Sequence, residues 1–293
     1  MLYDLAAVAA AVSIAFSNLI APPAIRHLGP VVFNCWRLAA ALLALLGLVI
    51  ARGAWSAPSS GQMLALAASS LLGIVTADSC FYAAMARLGP RRTSVLYTSW
   101  AAFAALLGYL ILGEALSWVK VAGIACVIGG VWLAILFRGG KSTTKEEPHG
   151  SLLAGVVFGL LSALSAAGAV LIARPVMAQG LDPLMATVIR AAVGLPGLVL
   201  LSRLPGFREP MPLTLAIALR SAASGLLGMG VGMTLVLFAL SSQPVGIVST
   251  LSSITPVAIL PLLWVTTGVR PAPVAWLGAA CAVIGAAAIA SGY

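Results

Sequence analysis

The sequence predicts an all-α integral membrane protein with ten transmembrane helices, arranged as two inverted five-helix repeats around a central cavity. Composition is the first observation behind this fold class. Of the 293 residues, 61% are hydrophobic and only 8% are charged, whereas about a quarter of a soluble domain is charged. The second observation is that the apolar runs are about 20 residues long, the length of a helix that crosses a bilayer. The third is that the chain matches itself at a fixed offset.

Ten apolar runs can be placed along the chain, each long enough for one membrane helix. The N-terminal run is interpreted as the first of them rather than as a signal peptide, because Asp4 stands where a signal peptide carries Lys or Arg. The predicted spans are 5–24, 31–50, 63–86, 93–112, 119–137, 152–173, 184–204, 213–239, 245–266 and 274–290.

One long polar tract, RGGKSTTKEEPHG at 138–150, separates the fifth span from the sixth and predicts a solvated linker. The predicted domains are a first repeat at 1–140, the linker at 141–150 and a second repeat at 151–293.

Six positions of the first half reappear in the second half at a shift of 153 or 155 residues. Because five spans is an odd number, the second copy must enter the membrane from the opposite side, which inverts the halves. Inverted pairs place a solute site at their interface and open it alternately to either side. The equivalent pairs are Pro22 and Pro175, Pro30 and Pro183, Arg37 and Arg190, Gly123 and Gly278, Cys126 and Cys281, and Gly130 and Gly285.

Charge and cysteine usage narrow the functional classes. The net charge of +9 forms no basic domain, since the sixteen Lys and Arg residues lie at the ends of apolar runs, and we expect no nucleic-acid partner. Twelve of them lie on one side and four on the other, so the positive-inside rule predicts that both termini are outside the cytoplasm. The four cysteines lie inside apolar runs without a CxxC or a neighbouring histidine. We therefore expect no metal and no cofactor.

The stretch from Tyr82 to Val131 carries a recognisable pattern: A-x-x-x-L-G-P ending at Pro90, a span, then L-G-E ending at Glu114, then several glycines. This pattern resembles the EamA repeat of the drug/metabolite transporter superfamily, and the whole chain resembles two such repeats in tandem. Within that family it is most similar to the aromatic amino-acid exporters of the YddG type. The second copy has TTGVRP where Glu114 stands, and we interpret Glu114 as a structural cap for the next helix.

The resemblance implies a secondary active transporter that exports amino acids, including aromatic ones, by alternating access. It would be a multi-pass protein of a bacterial-type inner (plasma) membrane, and we expect a monomer that binds small molecules. A drug or other metabolite carrier of the same superfamily, such as a nucleotide-sugar carrier, is the main alternative. An intramembrane enzyme is a remote one, because such an enzyme needs paired catalytic groups at depth, and His27 and His149 lie outside the spans. We expect no enzymatic activity.

Asp78 is the one carboxylate deep inside a predicted span, where an ionised group is costly unless it faces water, a partner or a solute. It is interpreted as a ligand for the ammonium group of the substrate, as a proton-coupling site, or as a structural partner for Arg37 or Arg91. Tyr82 shares its helical face, and Tyr97 and Trp100 share a face of the fourth span. These aromatic residues predict a substrate-binding wall; an aromatic belt at the membrane interface is the alternative.

Four further residues complete the predicted substrate site. Asn18 belongs to a polar stripe on the first span, and Ser253 to one on the ninth; bonding back to the helix backbone is the alternative role of such stripes. Met229 and Met233 would add an adaptable apolar wall. Arg37 and Arg190 are interpreted instead as residues that extend to the lipid headgroups or cap a helix.

Overall fold

The computed structural model describes residues 2–53, 57–112, 117–136, 151–204, 212–243, 245–252, 254–268 and 270–291. Glu114, the linker 141–150 and Ser253 lie outside the described residues. Within these ranges every regular element is helical, so the predicted all-α class is confirmed. The α-helices, in chain order, are α1 (Leu2–Ile20), α2 (Pro22–Leu28), α3 (Pro30–Arg52), α4 (Ser60–Ser70), α5 (Ser79–Tyr97), α6 (Ser99–Leu112), α7 (Trp118–Leu136), α8 (Leu152–Ala178), α9 (Pro183–Ser202), α10 (Leu215–Gly225), α11 (Thr234–Leu240), α12 (Val245–Ser252), α13 (Thr255–Thr267) and α14 (Pro273–Ser291).

Two stretches between these helices are π-helical, and each has eight residues. The first π segment is Leu71–Asp78, between α4 and α5; the second π segment is Leu226–Met233, between α10 and α11. They are 155 positions apart, which is one of the shifts that relate the two repeats. A π-helix widens one turn of a helix and is frequent at functional sites. The two copies of the fold therefore carry the same local irregularity at the same place.

Six of the described helical stretches are long and apolar enough to cross a membrane, and three shorter ones are also apolar. In a bilayer a helix satisfies all of its interior backbone hydrogen bonds without water, which is why apolar runs of this length adopt it. The architecture fits a multi-pass membrane protein. That ten stretches cross the membrane stays a prediction.

Helix α5 contains the boundary between two of the predicted spans. Gly89 has a φ of +80° and a ψ of 168°, which is not helical, and Pro90 follows it directly. Glycine adopts this positive φ without a steric penalty, and proline readily begins a new helix. The chain therefore changes direction at Gly89, between the predicted third and fourth spans.

Helices α7 and α14 form the tightest pair of equivalent elements. A Cβ atom on Gly130 would lie 2.6 Å from the carbonyl oxygen of Gly278, and one on Gly285 would lie 2.5 Å from the carbonyl oxygen of Gly123. Small residues allow such an approach of two backbones in lipid, where dispersion forces and not water drive helix packing. Because the earlier residue of each helix meets the later residue of its partner, the two helices run antiparallel.

The middle of this pair lies on the symmetry axis of the molecule. The Cys126 thiol donates a hydrogen bond to the carbonyl oxygen of Cys281 at 3.2 Å, and these residues are repeat equivalents. A residue that contacts its own counterpart lies beside the two-fold axis that relates the copies. The antiparallel course of two equivalent helices around this axis fits the two-repeat, inverted architecture.

Replacing Gly130 with alanine is expected to destabilise the protein by about 1–3 kcal/mol, because the added methyl group meets backbone atoms of Gly278 and Ala282 that cannot rotate away. Thermal unfolding in detergent measures this loss. Gly129→Ala is the matched control, since Gly129 is exposed and a Cβ there meets nothing within 4 Å. Equal unfolding temperatures for the two variants would contradict the packing argument.

Candidate functional site

A cavity of about 880 Å³, part of which is open to solvent, lies between the two repeats. Its walls come from α1, α3, the first π segment, α5 and α6 of the first repeat, and from α8, the second π segment, α11, α12 and α13 of the second. Residues from both copies thus face one space at the centre of the fold, as the inverted-repeat interpretation predicts for a solute site.

Seven of the eight residues predicted to bind substrate line this cavity, and the eighth, Ser253, lies outside the described residues. Their part in binding stays a prediction, but their side chains are brought together. The seven are Asn18, Asp78, Tyr82, Tyr97, Trp100, Met229 and Met233.

The charged centre of the cavity is an ion pair between Arg37 and Asp78. Arg37 Nη1 donates to Asp78 Oδ2 at 3.0 Å and to Asn34 Oδ1 at 3.1 Å. The Asn34 amide in turn donates to the carbonyl oxygen of Ile74, which belongs to the first π segment. Of the two candidate arginine partners for Asp78, Arg37 is therefore the one that the structure places in contact.

The interpretation of Arg37 and Arg190 as residues that extend to the headgroups is wrong. They are 5% and 1% exposed, and both guanidinium groups lie inside the helical bundle. An arginine at such depth is costly unless it is paired or hydrogen-bonded, so its burial marks a functional or structural centre. One signal was present in the sequence: each lies seven residues after a proline that begins its helix, about 10 Å along the helix.

Aromatic side chains form the adjoining wall. The Tyr82 ring packs edge-on against Phe33 and Phe81, with ring centroids 4.9 and 5.4 Å apart, and the Arg37 guanidinium lies 5.1 Å from its centroid. Edge-on contacts and a cation over the ring face are both favourable geometries for an aromatic ring. Tyr82 is 2% exposed, so these contacts hold its ring rigidly beside the ion pair.

Tyr97 and Trp100 form a second aromatic element at a helix break. Their rings are stacked, with centroids 6.4 Å apart and an interplanar angle of 23°. Tyr97 ends α5 and Trp100 lies at the start of α6, so the interruption between these helices directs both rings into the cavity. The structure therefore gives both residues a place in the cavity wall.

The predicted substrate site does not include every polar residue of the cavity wall. Among the described residues, the Ser94 and Ser252 hydroxyl groups are buried without a hydrogen-bond partner, and both residues line the cavity. Ser94 gave no signal, since it follows the polar residues 91–93 at the start of the predicted fourth span. Ser252 belongs to the polar stripe on the ninth span that also contains Ser253. Unused hydroxyls at a cavity wall are groups that a polar solute can satisfy.

Within the described part of the chain, no group of three or more His, Cys, Asp or Glu side chains is arranged to hold a metal ion. The chemistry that the cavity offers comes from one ion pair, hydroxyl groups, aromatic rings and two thioethers. These groups bind and orient a solute.

Comparison with known proteins agrees with this architecture. The model of the EamA-like transporter family matches residues 1–136 and 153–291, which is nearly the whole chain in two parts. The chain belongs to the EamA-like transporter family. The match to a family of membrane transporters confirms the transporter class predicted from the sequence.

The transporter was also compared with solved structures and with curated protein sequences. A solved crystal structure of a protein with 16% sequence identity shares its fold, with a TM-score of 0.68 over 98% of this chain and 94% of the other. No curated protein sequence matches the transporter. At 16% sequence identity, this structural similarity supports a shared fold and nothing about function.

Proposed function

We propose that the protein is a secondary active transporter that exports amino acids, including aromatic ones, by alternating access through the central cavity. The observation that carries this proposal is the combination, in one cavity, of a buried ion pair with an aromatic and methionine wall. An α-amino acid has the complementary groups: an ammonium and a carboxylate on one carbon, and a side chain that varies in polarity.

Asp78 supports the recognition of an ammonium group. Its side chain is 22% exposed although it is paired with Arg37, so part of the carboxylate remains open to the cavity. A second cation can approach there and form a charge-assisted hydrogen bond, which is stronger than a neutral one. The same exposure would allow Asp78 to exchange a proton with water in the cavity.

The apolar wall supports a side chain of variable shape. Tyr97 and Trp100 offer the faces of two rings, and Met229 and Met233 offer flexible thioether chains on the opposite repeat. Methionine adapts to different partners, while stacked aromatic rings favour flat apolar groups. This composition suits aromatic and long aliphatic amino acids better than a polyanionic nucleotide sugar.

Alternating access is supported by the two-fold arrangement of the helices. The equivalent helices α7 and α14 run antiparallel, and residues of both repeats line the cavity, so rocking one bundle against the other would open it to either side. The sequence has no Walker A pattern, and we propose that an ion gradient supplies the energy. We place the protein in a bacterial-type inner membrane, as a monomer whose cavity is complete within one chain.

Efflux from proteoliposomes tests the proposal directly. Vesicles loaded with labelled phenylalanine, methionine or threonine are followed with and without a pH gradient. We expect efflux of phenylalanine and methionine that the gradient accelerates, since the cavity wall is aromatic and thioether-lined. Absence of efflux for every amino acid would refute the exporter and favour a drug or other metabolite carrier.

The Asp78→Asn variant is expected to lower this efflux by about tenfold or more, because the amide carries no charge for an ammonium group and exchanges no proton at neutral pH. Loss of the gradient-driven part alone would assign Asp78 to proton coupling; equal loss with and without the gradient would assign it to substrate binding or to structure. Asp182→Asn is the matched control. Asp182 caps α9 outside the cavity, and asparagine caps a helix equally well. If Asp78→Asn shows the same efflux as the native chain, Asp78 takes no part in substrate binding or in proton coupling.

A further inference from the structure

The two repeats place their equivalent arginines in equivalent niches. Arg37 and Arg190 are 153 positions apart, and each guanidinium packs against a glycine of the opposite repeat's π segment. A Cβ atom on Gly228 would lie 2.8 Å from Arg37 Nη2, and one on Gly73 would lie 2.6 Å from Arg190 Nη2. Gly73 and Gly228 are themselves 155 positions apart. The niches are therefore related by the two-fold axis of the fold.

The niches differ in the group that accepts the arginine hydrogen bond. Arg37 Nη1 donates to the carboxylate of Asp78 at 3.0 Å, whereas Arg190 Nη1 donates to the thioether sulfur of Met233 at 3.2 Å. Asp78 and Met233 are the last residues of the two π segments and repeat equivalents, 155 positions apart. A thioether is a weak acceptor and carries no charge. The niche of Arg190 thus contains an arginine, as the niche of Arg37 does, but no carboxylate equivalent to Asp78.

Arg190 has no carboxylate of its own in the described part of the chain. Its Nε atom is buried and has no hydrogen-bond partner there. Asp78 interacts with it electrostatically, but Asp78 is already bonded to Arg37. Two arginines and one carboxylate leave this centre with one uncompensated positive charge, inside a membrane-spanning bundle where such a charge is costly. A bound anionic group would compensate it.

Met233 stands between this cation and the cavity. It is half-buried and lines the cavity, while Arg190 is 1% exposed and does not line it. A methionine side chain is unbranched and has three rotatable bonds, so it can swing away from a partner that it holds only weakly. That movement would open the Arg190 guanidinium to the cavity.

We propose that Arg190 receives the carboxylate of the transported solute, and that the Met233 side chain covers this anion site until the solute enters. The inference rests on the proposed function for the identity of the solute as an amino acid. The solute's carboxylate then takes the place in the second repeat that Asp78 holds in the first, with the two-pronged geometry that guanidinium favours. Its ammonium group lies towards Asp78, and its side chain lies along the aromatic wall.

Affinity measurements on the purified full chain in detergent test this assignment, with three probes that differ in charge. Phenylalanine carries both groups, 3-phenylpropionate carries only the carboxylate, and phenylalaninamide carries only the ammonium. Met233→Asp places a permanent counter-ion beside Arg190, as Asp78 does beside Arg37. Met233→Leu alters the same wall without a charge and measures the effect of shape alone.

We expect Met233→Asp to lower the affinity for phenylalanine and for 3-phenylpropionate about 30-fold or more relative to Met233→Leu. The reason is that the new aspartate carboxylate pairs with Arg190 and competes with the carboxylate of the probe. Phenylalaninamide should bind Met233→Asp at least as well as it binds Met233→Leu. Arg190→Lys is a second test, because lysine keeps the positive charge but lacks the planar guanidinium group. This variant should bind both carboxylate probes more weakly and should bind phenylalaninamide as the native chain does.

The outcomes separate this inference from the proposed function. If the native chain binds phenylalanine and Met233→Asp binds it as well as Met233→Leu does, the anion site is refuted and the amino-acid function stands. If the native chain binds 3-phenylpropionate but no amino acid, and Met233→Asp abolishes that binding, the anion site stands and the amino-acid function fails. If the native chain binds neither carboxylate probe, the anion site is refuted.

Discussion

Replacing Arg37 with glutamine is expected to destabilise the folded protein by about 3–5 kcal/mol and to abolish transport. Arg37 is 5% exposed and pairs with Asp78 at 3.0 Å. Removing it leaves a carboxylate inside the bundle with no hydrogen-bonded cation, and it also removes the charge that packs over the Tyr82 ring. Unfolding in detergent, by heat or by denaturant, measures the loss, and proteoliposome efflux measures the transport.

Arg52→Gln is the matched control for this variant. Arg52 lies in the last turn of the same helix, α3, and is exposed, so the same chemical change there removes only a surface charge. Surface substitutions of this kind usually change stability by less than about 0.5 kcal/mol. If Arg37→Gln and Arg52→Gln unfold at the same temperature, the ion pair is not a structural centre of the fold.

The helical class and the membrane setting could be predicted from the sequence because they depend on averages over many residues. Apolar runs of about 20 residues and a charged fraction of 8% leave few other solutions for a polypeptide chain. The repeat equivalence was also readable, since Cys126 and Cys281 occupy equivalent positions in the self-match and meet in the structure. These features need no knowledge of individual side-chain directions.

The cavity residues could be predicted only in part. Asp78 stands out in the sequence because a carboxylate inside an apolar span is rare, whereas the sequence favours a headgroup position for Arg37 and Arg190 because arginine can extend to the membrane surface. The π-helical form of the two segments could not be predicted from their residues, and the sequence contains only one clue to their equivalence. Both segments begin with Leu-Leu-Gly, at 71–73 and 226–228, and that repeated triplet was the clue available.

Moving the carboxylate from one repeat to the other is expected to have the second largest effect. Asp78→Met alone leaves both buried arginines without a bonded counter-ion and should cost about 3–5 kcal/mol of stability. Adding Met233→Asp should recover most of that loss. Position 233 is the repeat equivalent of position 78, and Arg190 Nη1 already lies 3.2 Å from the side chain at position 233. Unfolding of the native chain, both single variants and the double variant measures the coupling.

Met229→Asp, combined with Asp78→Met, is the control for this rescue. Met229 lies about one turn before Met233 on the second π segment and also lines the cavity, but no hydrogen bond joins it to Arg190 in the described structure. A carboxylate at position 229 should therefore add a buried charge and no compensation. If both double variants are as unstable as Asp78→Met, the two arginine niches are not equivalent. If only the position 233 variant recovers, the fold accepts its carboxylate in either repeat, and the Arg190 niche that Met233 covers in the native chain can accommodate an anionic group.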